Sequence, residues 1–197
     1  MFKIAAFVSG GGTNLQAIID AIDAGKVKGQ IELVVSTNYH AYALERAKKH
    51  GIETLVVAKK DFADSDDREK FLLGVLAQKN VDLIVLCGCM MVLSADFVKA
   101  CAVPIINVHP ALLPAYGGRG FYGLAVHEAV LAAGESVTGA TVHYVDGGID
   151  TGSIILQREV PVLVGDSPEI LQRRVMEEAE WQILPEAIAM LIEKSGR

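Results

Sequence analysis

Five short apolar runs alternate with amphipathic stretches through the first 110 residues, and this alternation limits the fold more than any other feature. The runs cover residues 3–8, 31–36, 54–57, 82–86 and 104–108. Between them, residues 14–24, 41–50, 68–78 and 94–100 read as helices. Leu15, Ile18, Ile19 and Ile22 share one face of the first helix, and Phe71, Leu72, Val75 and Leu76 one face of the third. Gly25 and Gly51 close the first two. The LIVL core of the 82–86 run shows no polar alternation, as expected of a strand covered on both faces. Strand and helix in turn predict a parallel, doubly wound, Rossmann-like α/β sheet.

After Pro114 the pattern changes. Residues 115–123 form a glycine-rich loop, AYGGRGFYG, and residues 124–133 read as a helix. Two extended runs, 139–145 and 153–162, flank DGGIDTG and predict an antiparallel strand pair. Ser167 and Pro168 open a long C-terminal helix reaching Ile192, with a kink or split predicted at Pro185. We read one domain over 1–197. Residues 1–110 form a phosphate-binding Rossmann-like half, and residues 111–197 an α+β half that completes the site.

Composition removes several classes of function. A chain of 197 residues with 51% hydrophobic side chains can bury a full core without a disulfide or metal staple. The three cysteines, Cys87, Cys89 and Cys101, are odd in number, and two sit as CxC inside an apolar strand. That pattern fits reduced apolar residues better than a disulfide framework or a zinc site, so no metal is expected. The N-terminus lacks a basic segment followed by a full apolar one, and no apolar run approaches the length of a membrane span. A cytoplasmic protein is expected. A net charge of −6 gives no general attraction to nucleic acid or to an anionic membrane.

Three elements can carry chemistry. The first, SGGGTNLQ, joins the first strand to the first helix. Gly10, Gly11 and Gly12 allow a tight turn, and backbone N–H groups at the helix start, with Thr13 and Asn14, can hold a phosphate. A plain strand-to-helix turn with an Asn cap is the alternative. Neither a P-loop nor a GxGxxG dinucleotide turn fits, because GK[ST] is absent and Leu15 stands where the last glycine belongs. The second element is IINVHPALLP. Asn107 and His109 are two apart in a strand, so they share a side, and the strand stops at Pro110. An amide beside an imidazole can polarise a carbonyl and move a proton; a polar strand end is the bland alternative. The third is DGGIDTG, where Asp150 can supply a carboxylate that raises the pKa of His109 if the loop brings it close. Asp146 reads as ordinary turn chemistry. His143 either faces the site or packs beneath it. His127 lies in VHEAV with no second histidine at metal spacing, and His40 and His50 read as surface residues. Glu177, Glu178 and Glu180 are most simply a solvated face, with Glu180 the carboxylate to watch.

SGGGTNLQAI, INVHPALLP, TGATVHYVDGGIDTGSIILQ and AEWQILPEAI together resemble the folate-dependent formyltransferases, in the branch that formylates glycinamide ribonucleotide. The resemblance runs from Lys3 to about Ile192. It implies 10-formyltetrahydrofolate as co-substrate and glycinamide ribonucleotide as acceptor, with no metal and with small molecules as the partners. It implies a catalytic trio of Asn107, His109 and Asp150. It places the ribonucleotide phosphate at Gly12, Thr13 and Asn14, and the rest of that substrate by Pro110 and Glu180. The folate lies by Met90, Met91, Val92 and Leu93, and by Val145, Asp146 and Gly147 in the loop before Asp150. Two departures stand out. Met91 replaces an arginine common in the family, and the loop containing Arg119 differs from the usual shorter one.

The expected reaction is direct attack of the amine on the formyl carbon, through a tetrahedral intermediate. Hydrolysis of the same formyl donor is one rival, and a non-catalytic nucleotide-sensing module another. An NAD-dependent enzyme is disfavoured by Leu15 and by the lack of an acidic residue closing a ribose-binding strand. The sequence leaves monomer and homodimer open.

Overall fold

The computed structural model describes residues 1–196. Its first half alternates as the periodicity predicts: β1 (Phe2–Val8), α1 (Thr13–Asp23), β2 (Gly29–Ser36), α2 (Tyr42–Lys49), β3 (Thr54–Val56), α3 (Ser65–Lys79), β4 (Leu83–Leu86), α4 (Ala95–Ala100) and β5 (Ile105–His109). The second half adds α5 (Leu124–Ala132), β6 (Val137–Tyr144), β7 (Ile154–Pro161), α6 (Pro168–Val175) and α7 (Trp181–Lys194). All seven strands join one sheet in the order β3-β2-β1-β4-β5-β6-β7. Strands β1 to β5 are parallel. β6 runs antiparallel to both β5 and β7, so the antiparallel section is wider than the predicted pair.

Side-chain alternation along β1 shows how the sheet is covered. Phe2, Ile4, Ala6 and Val8 point into one core cluster, with Leu15 and Ile18 of α1, Ala43 of α2 and Ile188 of α7. Ala5 and Phe7 point into the other, with Leu72 of α3 and Phe97 of α4. Every residue of β4 is buried, as its unbroken apolar run requires. The carboxyl ends of β1, β4 and β5 lie side by side, where open α/β sheets bind ligands.

The C-terminal helix departs from expectation. It continues through Pro185, which lies inside α7, and the irregularity falls earlier, in a π turn at Met176–Glu180. Periodicity explains the position. At 100° per residue an unbroken helix would place the buried face of α7 (Ile183, Leu184, Ala187, Ile188) on roughly the opposite side from Leu171 and Val175 of α6. The wide turn takes up one extra residue and turns the second face back toward the sheet by roughly 100°. No described helix is long and apolar enough to cross a membrane.

Candidate active site

The β1–α1 turn shows why glycine is needed at position 12. Gly12 has φ 72°, and a Cβ there would sit 2.6 Å from the Cβ of Ala43. Gly12 is the N-cap of α1, and no side chain caps the helix, so the Asn cap considered as the alternative is not formed. Asn14 is buried and donates from Nδ2 to Glu180 Oε2 at 2.7 Å, while its Oδ1 has no partner among the described residues. Burial pushes the carboxyl of Glu180 above the usual range, and the Asn14 bond draws it partly back.

Pairing of β5 with β6 builds the next part. Asn107 sits opposite His143, and His109 opposite Thr141. His143 therefore faces the site. Its Nδ1 is 2.8 Å from the Tyr144 carbonyl, which can only accept, so the ring proton is on Nδ1. The free Nε2 accepts from Asn107 Nδ2 at 3.2 Å.

The loop between β6 and β7 brings Asp150 back over β5. Asp150 has φ 57°, a left-handed conformation that aspartate tolerates. Its Oδ2 lies 3.5 Å from His109 Nδ1, and its Oδ1 lies 3.5 Å from both His143 Nε2 and Asn107 Nδ2. The Gly118 N–H donates to Oδ2 at 3.0 Å. Burial alone would raise this carboxyl; His143, His109 and the Gly118 amide outweigh it and hold Asp150 below the usual carboxylate range.

The effect on His109 is opposite to the sequence expectation. The ring is 4% exposed, and burial lowers its pKa below the ordinary imidazole value. Asp150 and the Tyr116 carbonyl push the other way but do not win. Desolvation of a cation outweighs a carboxylate held at 3.5 Å. His109 is therefore neutral near pH 7.

Two cavities meet here. The larger, about 740 Å³, is lined by Thr13, Asn14, Pro110 and Glu180, by Met90, Met91 and Val92, and by Asn107, His109 and Asp150. The smaller, about 120 Å³, is lined by Met91, Val92, Leu93, Val145 and Asp146, and again by Asn107 and Asp150. Gly147 borders neither and packs beside Ala95. Among the described residues Arg119 is the one Lys or Arg lining the large cavity, and it makes no hydrogen bond or ion pair with any of them. Met91 is buried in the apolar cluster beneath β4, so it offers no charge in place of an arginine. His127 also lines the large cavity, at 0% exposure, with neither ring nitrogen partnered among the described residues. Burial, with His109 nearby, pushes its pKa down to about 4. The sequence had singled out His127 only to exclude a metal motif; its place on the inward face of a short helix is a weak signal.

A formyl transferase family model matches residues 2–188 of the chain. The chain belongs to the formyl transferase family. Among individual members of the formyl transferase family, the phosphoribosylglycinamide formyltransferase of Haemophilus influenzae is 40% identical over 98% of this chain and 88% of its own length. The trifunctional purine biosynthetic protein adenosine-3 of Drosophila pseudoobscura is 43% identical over 96% of this chain, which spans only 14% of that protein. The crystal structure of glycinamide ribonucleotide transformylase 1 from Symbiobacterium toebii superposes with a TM-score of 0.91 at 39% identity, covering 98% of this chain and 89% of that one.

Proposed function

We propose that this formyl transferase moves the formyl group of 10-formyltetrahydrofolate onto the amine of glycinamide ribonucleotide, a step of purine biosynthesis. One observation carries the reading: Asn107 and Asp150 line both cavities. Two substrates, one reaching in from each cavity, meet at those side chains. The uncapped start of α1, with Gly12, Thr13 and Asn14, takes the ribonucleotide phosphate on its free N–H groups. Pro110 and Glu180 border the rest of that molecule, and the partnerless Oδ1 of Asn14 accepts from it. The small pocket by Met91, Val92, Leu93, Val145 and Asp146 takes the pterin ring, with Met90 in the adjoining cavity and Gly147 on the same loop as Asp146. Both co-substrates are soluble small molecules, so the proposal includes a cytoplasmic location.

The chemistry follows from the trio of Asn107, His109 and Asp150. The amine attacks the formyl carbon, and negative charge builds on the formyl oxygen. Asn107 Nδ2 holds only long contacts, at 3.2 and 3.5 Å, so an incoming oxygen competes easily for its N–H. One such donor lowers the barrier by about 3 kcal/mol. Neutral His109 takes the proton that the amine sheds, and Asp150 stabilises the imidazolium formed. The new C–N bond is complete when the folate nitrogen leaves with that proton. Holding the two reactants together supplies much of the remaining acceleration.

The test is an assay with both co-substrates that measures formylated product and free formate in parallel. Product without formate supports the proposal, formate alone shows hydrolysis, and no folate binding leaves only a sensing role. A second result is expected at Arg119. Both co-substrates carry anionic groups, and among the described residues this guanidinium is the one unpaired cation facing them. Arg119→Gln is expected to raise KM for one co-substrate about ten-fold, with kcat little changed and with a weaker dependence on salt. Titrating each co-substrate separately shows which anion Arg119 meets. Unchanged KM for both removes Arg119 from the site.

A further inference from the structure

The loop after Pro114 touches both members of the His109–Asp150 pair through its main chain. The Tyr116 carbonyl lies 2.7 Å from His109 Nε2, and the Gly118 N–H lies 3.0 Å from Asp150 Oδ2. Tyr116 holds φ 54°. Its hydroxyl donates to Glu135 Oε1 at 2.8 Å, and its ring meets Phe121 edge-on at 6.0 Å. Gly117 between them is closely packed: a Cβ there would lie 2.4 Å from Leu113 Cδ2 and 3.4 Å from Asp150 Cβ.

We propose that residues 116–118 form a main-chain clip that decides which edge of His109 receives the proton. A carbonyl only accepts, so the 2.7 Å contact keeps a hydrogen on Nε2. Asp150 competes by favouring a hydrogen on Nδ1, but from 3.5 Å. The shorter contact wins, and neutral His109 is the Nε2–H tautomer. Its open lone pair is then on Nδ1, facing Asp150 and the reacting centre. When Nδ1 takes the amine's proton, both N–H groups already have acceptors. Tyr116 is thus a positioning residue that acts through His109, and its part in turnover rests on the formyl-transfer reading.

The charged and titratable groups around the ring are Asp150 from the β6–β7 loop, His143 from β6 and His127 from α5. None of them reaches Nε2 within hydrogen-bond distance, so Tyr116 alone fixes that edge.

The test is nitrogen-15 NMR of histidine-labelled protein without substrates, which reads the clip whether or not formyl transfer is the reaction. Neutral His109 is expected as the Nε2–H tautomer. An Nδ1–H tautomer, or an even mixture, overturns the proposal. Gly117→Ala sets a Cβ against the tip of Leu113 and the Cβ of Asp150; the turn is expected to move, and Asp150 to draw hydrogen onto Nδ1. The plateau kcat then falls about ten-fold or more. With its carbonyl acceptor gone, His109 loses its proton at lower pH, so the acidic limb of the pH profile shifts to lower pH. Glu135→Gln loosens the same turn from the surface and is expected to shift tautomer and limb the same way by less. Parent-like tautomer and pH profile in the folded variants also overturn the clip.

Discussion

His109→Ala is expected to lower formyl transfer by about three orders of magnitude or more while the chain stays folded. The substitution removes the proton acceptor and the cation that forms beside the oxyanion, and no neighbour replaces them. His143 cannot, because its Nδ1 is committed to the Tyr144 carbonyl and its Nε2 faces Asn107. His127 keeps its proton off down to about pH 4 and is too weak a base for the task. The fold survives because His109 closes the end of β5, after the buried pairing of Ile105 and Ile106 is made. Steady-state rates and a thermal melt on the same preparation separate the two effects. Parent-like turnover would sink the mechanism, and loss of the melt would show a structural role instead. Asn107→Ala should follow the same pattern with a smaller loss.

The second large effect concerns stability and arises from His127. Unfolded, this imidazole takes a proton near pH 6.5; folded, it resists until about pH 4. Between those values the unfolded chain binds more protons, so stability rises with pH across the interval and is lost as pH falls through it. The full interval corresponds to at most about 3 kcal/mol. Solvent in the adjoining cavity screens the charge, so about 1 to 2 kcal/mol is expected. His109, also held below its ordinary value by burial, acts in the same direction. Urea unfolding at pH 7 and pH 5 should show the loss in the parent chain and a clearly smaller loss in His127→Phe. Equal pH dependence in both would place the titrating group elsewhere. The window lies above the range in which Asp150 and Asp146, both held low, take up protons.

The fold was largely legible because its signals are local. Apolar runs and helical spacing placed β1 to β5 and their helices within a few residues, and the continuous LIVL run marked β4 as a central strand. The pairing of Asn107 with His109 on one side of β5 was equally local. What could not be read was anything that depends on a long-range approach. That Asp150 reaches His109 depends on a left-handed residue inside a nine-residue connection and on an amide from another loop. That His143 faces inward depends on β6 running antiparallel to β5 in one particular register. The direction of the His109 shift depends on burial, which spacing does not reveal. Pro185 misled because proline is a strong local signal, whereas a π turn records a mismatch between two apolar faces ten residues apart.

That turn at Met176–Glu180 makes this helix sensitive to chain length. A surface loop absorbs an added residue with little change, but here the count of residues sets the phase between α6 and α7. Removing one exposed residue, Glu178 for example, takes away the residue that the wide turn absorbs and lets the two helices join as ordinary α-helix with both apolar faces kept on the sheet. Adding one residue instead leaves an excess that the turn does not absorb. After such an addition, either α7 would rotate Ile183 and Leu184 away from the sheet, or α6 would lift Leu171 and Val175. Glu180, bonded to Asn14 beside the glycine turn, lies at the pivot. In this chain the C-terminal helix acts as an indexing gear, and one tooth more would take a carboxylate out of the cavity.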